Sequence, residues 1–176
     1  MLLELPDGEG RRRYWVCRQG NGKWAWFFPT DWWTDLEQDE PTYRNEGWNA
    51  RVGFLHRPAD DRETILEDHE LTFYLRNAPS GNDDFYPAFA DRFNSDEPIA
   101  DTLPGVTERP GRKSNVLEAS YPLDIDGHGD LFTAYIEALA TAVDDHITSN
   151  HALIERIDEL YETTRDEEVD TDAEAG

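Results

Sequence analysis

The groups in this 176-residue chain that could do chemistry are its carboxylates, five histidines, one thiol, and a run of arginines interleaved with indoles. Asp124-Ile125-Asp126-Gly127-His128-Gly129-Asp130 places carboxylates at positions 1, 3 and 7 of a calcium-type loop, with glycine at position 6. Position 12 is Tyr135, where such a loop needs a bidentate Glu, and the preceding segment reads as strand rather than helix. A turn in which Asp130 caps a helix, with Asp124 and Asp126 near its positive end, therefore takes precedence over Asp124, Asp126 and Asp130 as metal ligands. His56, His69, His128, His146 and His151 lack ligand spacing; His146 and His151 are five apart and do not share a helix face. Cys17 lies in an alternating apolar segment and reads as a small buried hydrophobe; a lone cysteine cannot close an internal disulfide. With no glycine-rich phosphate loop and no nucleophile elbow, hydrolase and nucleotide chemistry are disfavoured and no cofactor is expected.

Binding chemistry is better represented. Arg11, Arg12 and Arg13 precede Tyr14 and Trp15, and Trp24, Trp26, Trp32 and Trp33 follow within twenty residues. Aromatic faces beside arginine are what single-stranded nucleic acid or a sugar ring stacks on, and Trp24, Trp26, Trp32, Trp33 and Arg11–Arg13 are the candidate stacking residues. The competing reading puts alternate rings of a hairpin into the core and pairs the arginines with neighbouring carboxylates. A second candidate surface is Phe132, Ile136, Leu139, Val143, His146, Asn150, Leu153, Ile157 and Leu160, spaced alternately four and three. That is either the stripe by which a helix covers a sheet or a coiled-coil seam for a protein partner or a second copy.

The elements that must carry these residues read as follows. Arg12–Gln19, Trp24–Phe28, Arg51–Arg57, Leu71–Arg76 and Asn115–Tyr121 alternate as strands, and Gly20-Asn21-Gly22 makes a hairpin of the first two. Asp83–Phe93 is a short amphipathic helix, Pro98–Arg112 a Pro/Gly-rich loop, and residues 130–164 a long helix that could break near 148–150. The expected class is α+β: one domain over 1–164, with a four- to five-stranded, mainly antiparallel sheet covered on one face by helices. The acidic segment 165–176 is expected to be a disordered tail.

Charge gives the chain its character. Asp and Glu number 39 against 16 Lys and Arg, a net charge of −23, and lysine occurs only at Lys23 and Lys113. The imbalance resembles proteins of salt-loving archaea with molar KCl in the cytoplasm, where a Debye length of about 3 Å suppresses self-repulsion. In dilute buffer the domain is expected to loosen. The 21 aromatic residues (6 Trp, 7 Tyr, 8 Phe) supply the apolar area for a packed core. No segment is apolar for long enough to span a bilayer, and the N-terminus lacks a signal-peptide pattern, so a cytoplasmic protein without membrane contact is expected. The order of an aromatic hairpin ending Trp26-Phe27-Phe28-Pro29, strands 51–57 and 71–76, a short helix, strand 115–121 and a terminal helix resembles the region that follows the catalytic core in PD-(D/E)XK-type nuclease proteins. That signature ends in an acidic residue two before Lys, whereas here Asn21 precedes Lys23 and Gly111 precedes Lys113. The resemblance implies an accessory or specificity part without the cutting site. The sequence reading is thus a non-catalytic, halophilic interaction domain acting through the Trp-rich hairpin and the helix stripe. The alternative is a nucleic-acid-associated accessory of a nuclease or defence system.

Overall fold

The computed structural model describes residues 2–6, 12–20, 24–32, 52–59, 61–77, 85–95, 106–108 and 115–174. Among the described residues there are seven strands: β1 (Leu2–Pro6), β2 (Arg12–Gly20), β3 (Trp24–Pro29), β4 (Val52–His56), β5 (Glu70–Asn77), β6 (Val106–Glu108) and β7 (Asn115–Pro122). They form one antiparallel sheet in the order β1-β2-β3-β4-β5-β7-β6. The five expected strands are its centre, and two short additional strands, β1 and β6, close its edges. The α-helices among the described residues are α1 (Phe85–Ser95), α2 (Ile125–His128), α3 (Leu131–Val143) and α4 (His151–Glu174), which make the fold α+β. A 3-10 turn spans Thr30–Trp32, and π-helical turns span Thr64–Asp68 and Asp144–Thr148.

Register fixes which side chains share a face. Cys17 pairs with Phe27, Phe27 with Phe54, Phe54 with Leu75 and Leu75 with Leu117, while Phe73 pairs with Ala119 and Leu71 with Tyr121. This is the helix-covered face: α3 and α1 rest on β5 and β7, and α1 packs against α4. The opposite face carries Trp26, Leu55 and Tyr74 across β3, β4 and β5, and all three are buried as well. Every residue of β4 is therefore buried, so the sheet is not one-sided. On that second face the Trp26 indole crosses Gly53: a Cβ there would come within 2.9 Å of the Phe27 carbonyl oxygen and 3.1 Å of Trp26 Cε2. Only glycine lets the indole lie so close to the backbone.

The long C-terminal segment is where structure and sequence pattern part. Asp130 caps α3 by accepting from the Thr133 N–H, and Asn150 accepts from the Leu153 N–H at the start of α4. Between the two helices the π turn widens the winding and the chain leaves the helix at Ser149 and Asn150, the break expected near 148–150. Ala134, Ala138 and Ala142 are buried before the π turn, His146 within it against Phe54 and Phe73, and Leu153, Ile157 and Leu160 after it. The stripe is continuous in sequence and discontinuous in space. Helix α4 runs to Glu174, so helix replaces the disordered tail expected from residue 165; no Gly or Pro interrupts it before Gly176.

Candidate functional site

Each candidate surface can be followed from its residues upward. Of the hairpin residues, Trp26 and Trp32 are in the core, and Arg13 lies between two carboxylates. The Arg13 guanidinium donates through Nε and Nη2 to both oxygens of Asp31 (3.0 and 2.6 Å) and through Nη1 and Nη2 to both oxygens of Asp158 on α4 (2.8 and 2.7 Å). Burial alone would lower its pKa, but these two partners outweigh burial and hold it firmly protonated. The same guanidinium lies 5.6 Å from the Trp32 ring centroid and 5.9 Å from that of Trp15. The cluster therefore ties the hairpin to α4, and neither Trp26, Trp32 nor Arg13 is presented to a ligand. This corrects the stacking expectation for those three: strand alternation sent the Trp26 ring inward, the 3-10 turn carried Trp32 into the core, and the Arg13 charge found internal partners. Trp24, Arg11, Arg12 and Trp33 carried the same expectation, and their side chains lie outside the described residues.

The loop expected as a weak metal candidate is two helix caps. Asp124 accepts from the Gly127 N–H (2.9 Å), and Asp130 accepts from the Thr133 N–H (2.9 Å) and hydroxyl (2.7 Å). The hydrogen bonds from Thr133 lower the Asp130 pKa. Asp126 is exposed on α2. Among the described residues no three His, Cys, Asp or Glu side chains are placed to hold a metal ion.

Two buried histidines form networks that spacing along the chain does not reveal. His56 donates from Nδ1 to the Thr72 carbonyl (2.9 Å), which leaves Nε2 to accept from the Tyr135 hydroxyl of α3 (2.7 Å). A base oriented by one group and bonded to a hydroxyl is the arrangement that activates nucleophiles. Here the electrostatics oppose it. Burial, and then the nearby Asp61 carboxylate, raise the Tyr135 pKa and disfavour the phenolate. Asp61 also accepts from the Tyr74 hydroxyl (2.9 Å), whose pKa is pushed up to about 12 by burial and by that carboxylate. The second network lies in the π turn. His146 shares its Nδ1 proton between the Ala142 carbonyl (2.9 Å) and the Tyr121 oxygen (3.1 Å), and Tyr121 donates to Asp145 (3.1 Å). His146 Nε2 is buried and has no hydrogen-bond partner among the described residues, with the rings of Phe54 and Phe73 packed against the imidazole. Both histidines join helix to sheet, and burial holds both pKa values below the ordinary range.

What reaches the surface is the outer side of α3. Phe132 is 72% exposed and Ile136 44%, with Leu139 and Val143 half-buried beside them and Ala140 exposed. Of the thirteen residues of α3, Leu131–Val143, only Glu137 is charged. In the nine-residue stripe, then, Phe132 and Ile136 face outward, Leu139 and Val143 flank them, Asn150 is half-buried at the start of α4, and His146, Leu153, Ile157 and Leu160 belong to the core. Burial thereby removes His146, Leu153, Ile157 and Leu160 from the nine residues expected on a partner-facing stripe.

No family model matches this chain, and no curated protein or solved structure is similar to it.

Large exposed apolar side chains are unremarkable singly, but a helix apolar nearly all round normally has a cover. Leu66 and Tyr14, the other exposed large apolar residues among those described, stand on other elements. Sequence reasoning misplaced the boundary of the α3 surface because it counted bulky residues and passed over Ala134, Ala138 and Ala142. Alanines at four-residue spacing let a helix approach a sheet closely, and that spacing was the available signal.

Proposed function

We propose that this chain is a non-catalytic binding domain that engages a macromolecular partner through the outer side of α3. The observation that carries the reading is the exposure of Phe132 and Ile136 on a helix with a single charged residue, in a chain of net charge −23. Among the described residues the other exposed large apolar side chains, Leu66 and Tyr14, stand singly on separate elements, whereas Phe132 and Ile136 share one strip. The acidic, lysine-poor composition supports a salt-adapted, cytoplasmic setting, in which burial of apolar area is the contact chemistry least weakened by screening. Among the described residues no helix is long and apolar enough to cross a membrane. The inward placement of Trp26 and Trp32 and the pairing of Arg13 leave the nucleic-acid reading without a described platform.

The test is site-specific photo-crosslinking in the expressing cell, with p-benzoylphenylalanine in place of Phe132 and, as control, of Glu155 on the exposed side of α4. A discrete adduct from position 132 and none from position 155 is the expected result. Equal or absent adducts at the two positions would overturn the reading, and an adduct removed by nuclease would redirect it to nucleic acid. Salt adaptation has its own check: the thermal midpoint should rise from dilute buffer to about 2 M KCl, where charge repulsion is screened.

A further inference from the structure

The outer side of α3 has two parts. At about 100° per residue, Phe132, Ile136 and Ala140 form one ridge, with Leu139 and Val143 on its flank. Beside it Asp130, Glu137 and Asp144 form an acidic line at seven-residue spacing, all three exposed, about 10 Å between successive members along the axis. Asp130 is the cap of α3, and Asp144 begins the π turn, where it accepts from the hydroxyls of Thr148 and Ser149. Hydrogen bonds to Asp130 and Asp144 lower the pKa of each, so these two ends of the line favour the ionised form. No lysine or arginine lies between Asp130 and Ser149.

A second copy of the chain is a poor cover for this surface. Packed antiparallel, it would bring an identical acidic line against the first, and like charges facing one another oppose docking. An amphipathic helix with its own apolar ridge and Arg or Lys at seven-residue spacing on one flank matches both parts at once. Its ridge would cover Phe132 and Ile136 while its cations met Asp130, Glu137 and Asp144. Arg13, held between Asp31 and Asp158 with Trp rings beneath, shows the same chemistry inside this fold.

We infer that the occupant of the α3 surface is a basic amphipathic helix of a partner protein, aligned along α3 by apolar contact with Phe132 and Ile136 and by ion pairing to the Asp130–Glu137–Asp144 line. The inference rests on the binding-domain reading above and adds the chemistry of the partner.

The experiment titrates the intact chain into three labelled synthetic helices, read by fluorescence anisotropy, with its mass followed by sedimentation equilibrium. All three share a Leu ridge over three heptads; one carries Arg at every seventh position on the flank, one Glu there, and one the same Arg on the opposite face. The flank-Arg helix should bind at least tenfold more tightly than either other. The double variant Phe132→Ala/Ile136→Ala should lose at least tenfold for it, and Glu137→Lys, which leaves only Asp130 and Asp144 negative, should narrow the preference for the Arg helix over the Glu helix. Because these side chains are exposed, unchanged circular dichroism melts should accompany the loss. Equal affinity for both Arg helices, or affinity untouched by the double variant, would overturn the inference in favour of unspecific charge attraction. A dimer without peptide, dissociated by the double variant, would overturn it in favour of a second copy. No binding to any helix, with a discrete crosslink from position 132, would overturn the basic helix while leaving the binding-domain reading in place; absence of both would remove the two together.

Discussion

Replacing Trp32 with alanine is expected to lower unfolding free energy by about 4–5 kcal/mol, the upper part of the range for truncating a buried aromatic. Trp32 is 1% exposed and stands at the meeting of four elements. Its ring meets Trp15 of β2 edge-on (6.0 Å), lies 6.4 Å from Phe54 of β4, and stacks on Tyr161 of α4 (6.4 Å). Its Nε1–H donates to Asp158 Oδ1 (2.5 Å), and its carbonyl accepts from the Tyr161 hydroxyl (3.1 Å). Truncation thus opens a cavity, takes one donor from Asp158 and uncovers the Arg13 guanidinium together, and the second and third effects move it to the top of the range. Trp32→Phe keeps a ring and loses the indole N–H; its cost should be about 1.5–3 kcal/mol, the order of one hydrogen bond to a charged group. Denaturant unfolding in about 2 M KCl, where surface repulsion is screened, measures both. A Trp32→Ala cost under about 2 kcal/mol would show that α4 is not anchored to the hairpin through this residue, since full burial of an aromatic predicts more.

How much of this was legible in the sequence depends on the range of the interaction. The strands β2, β3, β4, β5 and β7 follow from alternation, because a half-buried strand must send successive side chains to opposite faces. Edge strand β1 was not read: Leu2–Pro6 is short and ends in proline. Edge strand β6 lies within the expected Pro/Gly-rich loop. The stripe from Phe132 to Leu160 shows a limit of another kind. A regular 4,3 spacing assumes constant winding, and the π turn at Asp144–Thr148 breaks that assumption with no Gly or Pro to announce it. The candidate surface therefore emerged only when three alanines took the core side of α3 and sent Phe132 and Ile136 outward. Trp32 follows a similar logic: it lies beyond the alternating strand, in a 3-10 turn, so period two did not determine its direction. Partners far apart in sequence were beyond local pattern altogether, His56 and Tyr135 by 79 residues and Arg13 and Asp158 by 145.

Acid should unfold this protein from the inside before it relieves the charge outside. His56 and His146 are 1% and 0% exposed, and burial lowers the pKa of each below the ordinary value of about 6.5. A histidine that is harder to protonate when folded contributes its full stability above the unfolded pKa and loses it as pH falls below that value, because the unfolded chain then binds more protons. Each contributes a slope of at most about 1.4 kcal/mol per pH unit, so together they approach 2.7 kcal/mol per unit below about pH 6.5. The groups facing them set how far down the loss extends. Around His146 stand the Ala142 carbonyl, Tyr121, Asp145 and the rings of Phe54 and Phe73, and a proton on Nε2 would meet no acceptor among the described residues. Around His56, the Thr72 carbonyl and Asp61 oppose the loss in part, while Tyr135 would have to turn its hydroxyl to accept a new proton from Nε2. Carboxylates titrate mainly near pH 4, so relief of their repulsion arrives too late to mask the effect, and about 2 M KCl removes most of that repulsion beforehand. Urea unfolding in that salt between pH 7 and 5 should therefore show stability falling steeply with acid, and His146→Leu should roughly halve the slope whatever its constant cost. A flat profile over that range would mean that neither imidazole is held neutral by its surroundings, and the two helix-to-sheet networks would then be peripheral to the stability of the fold.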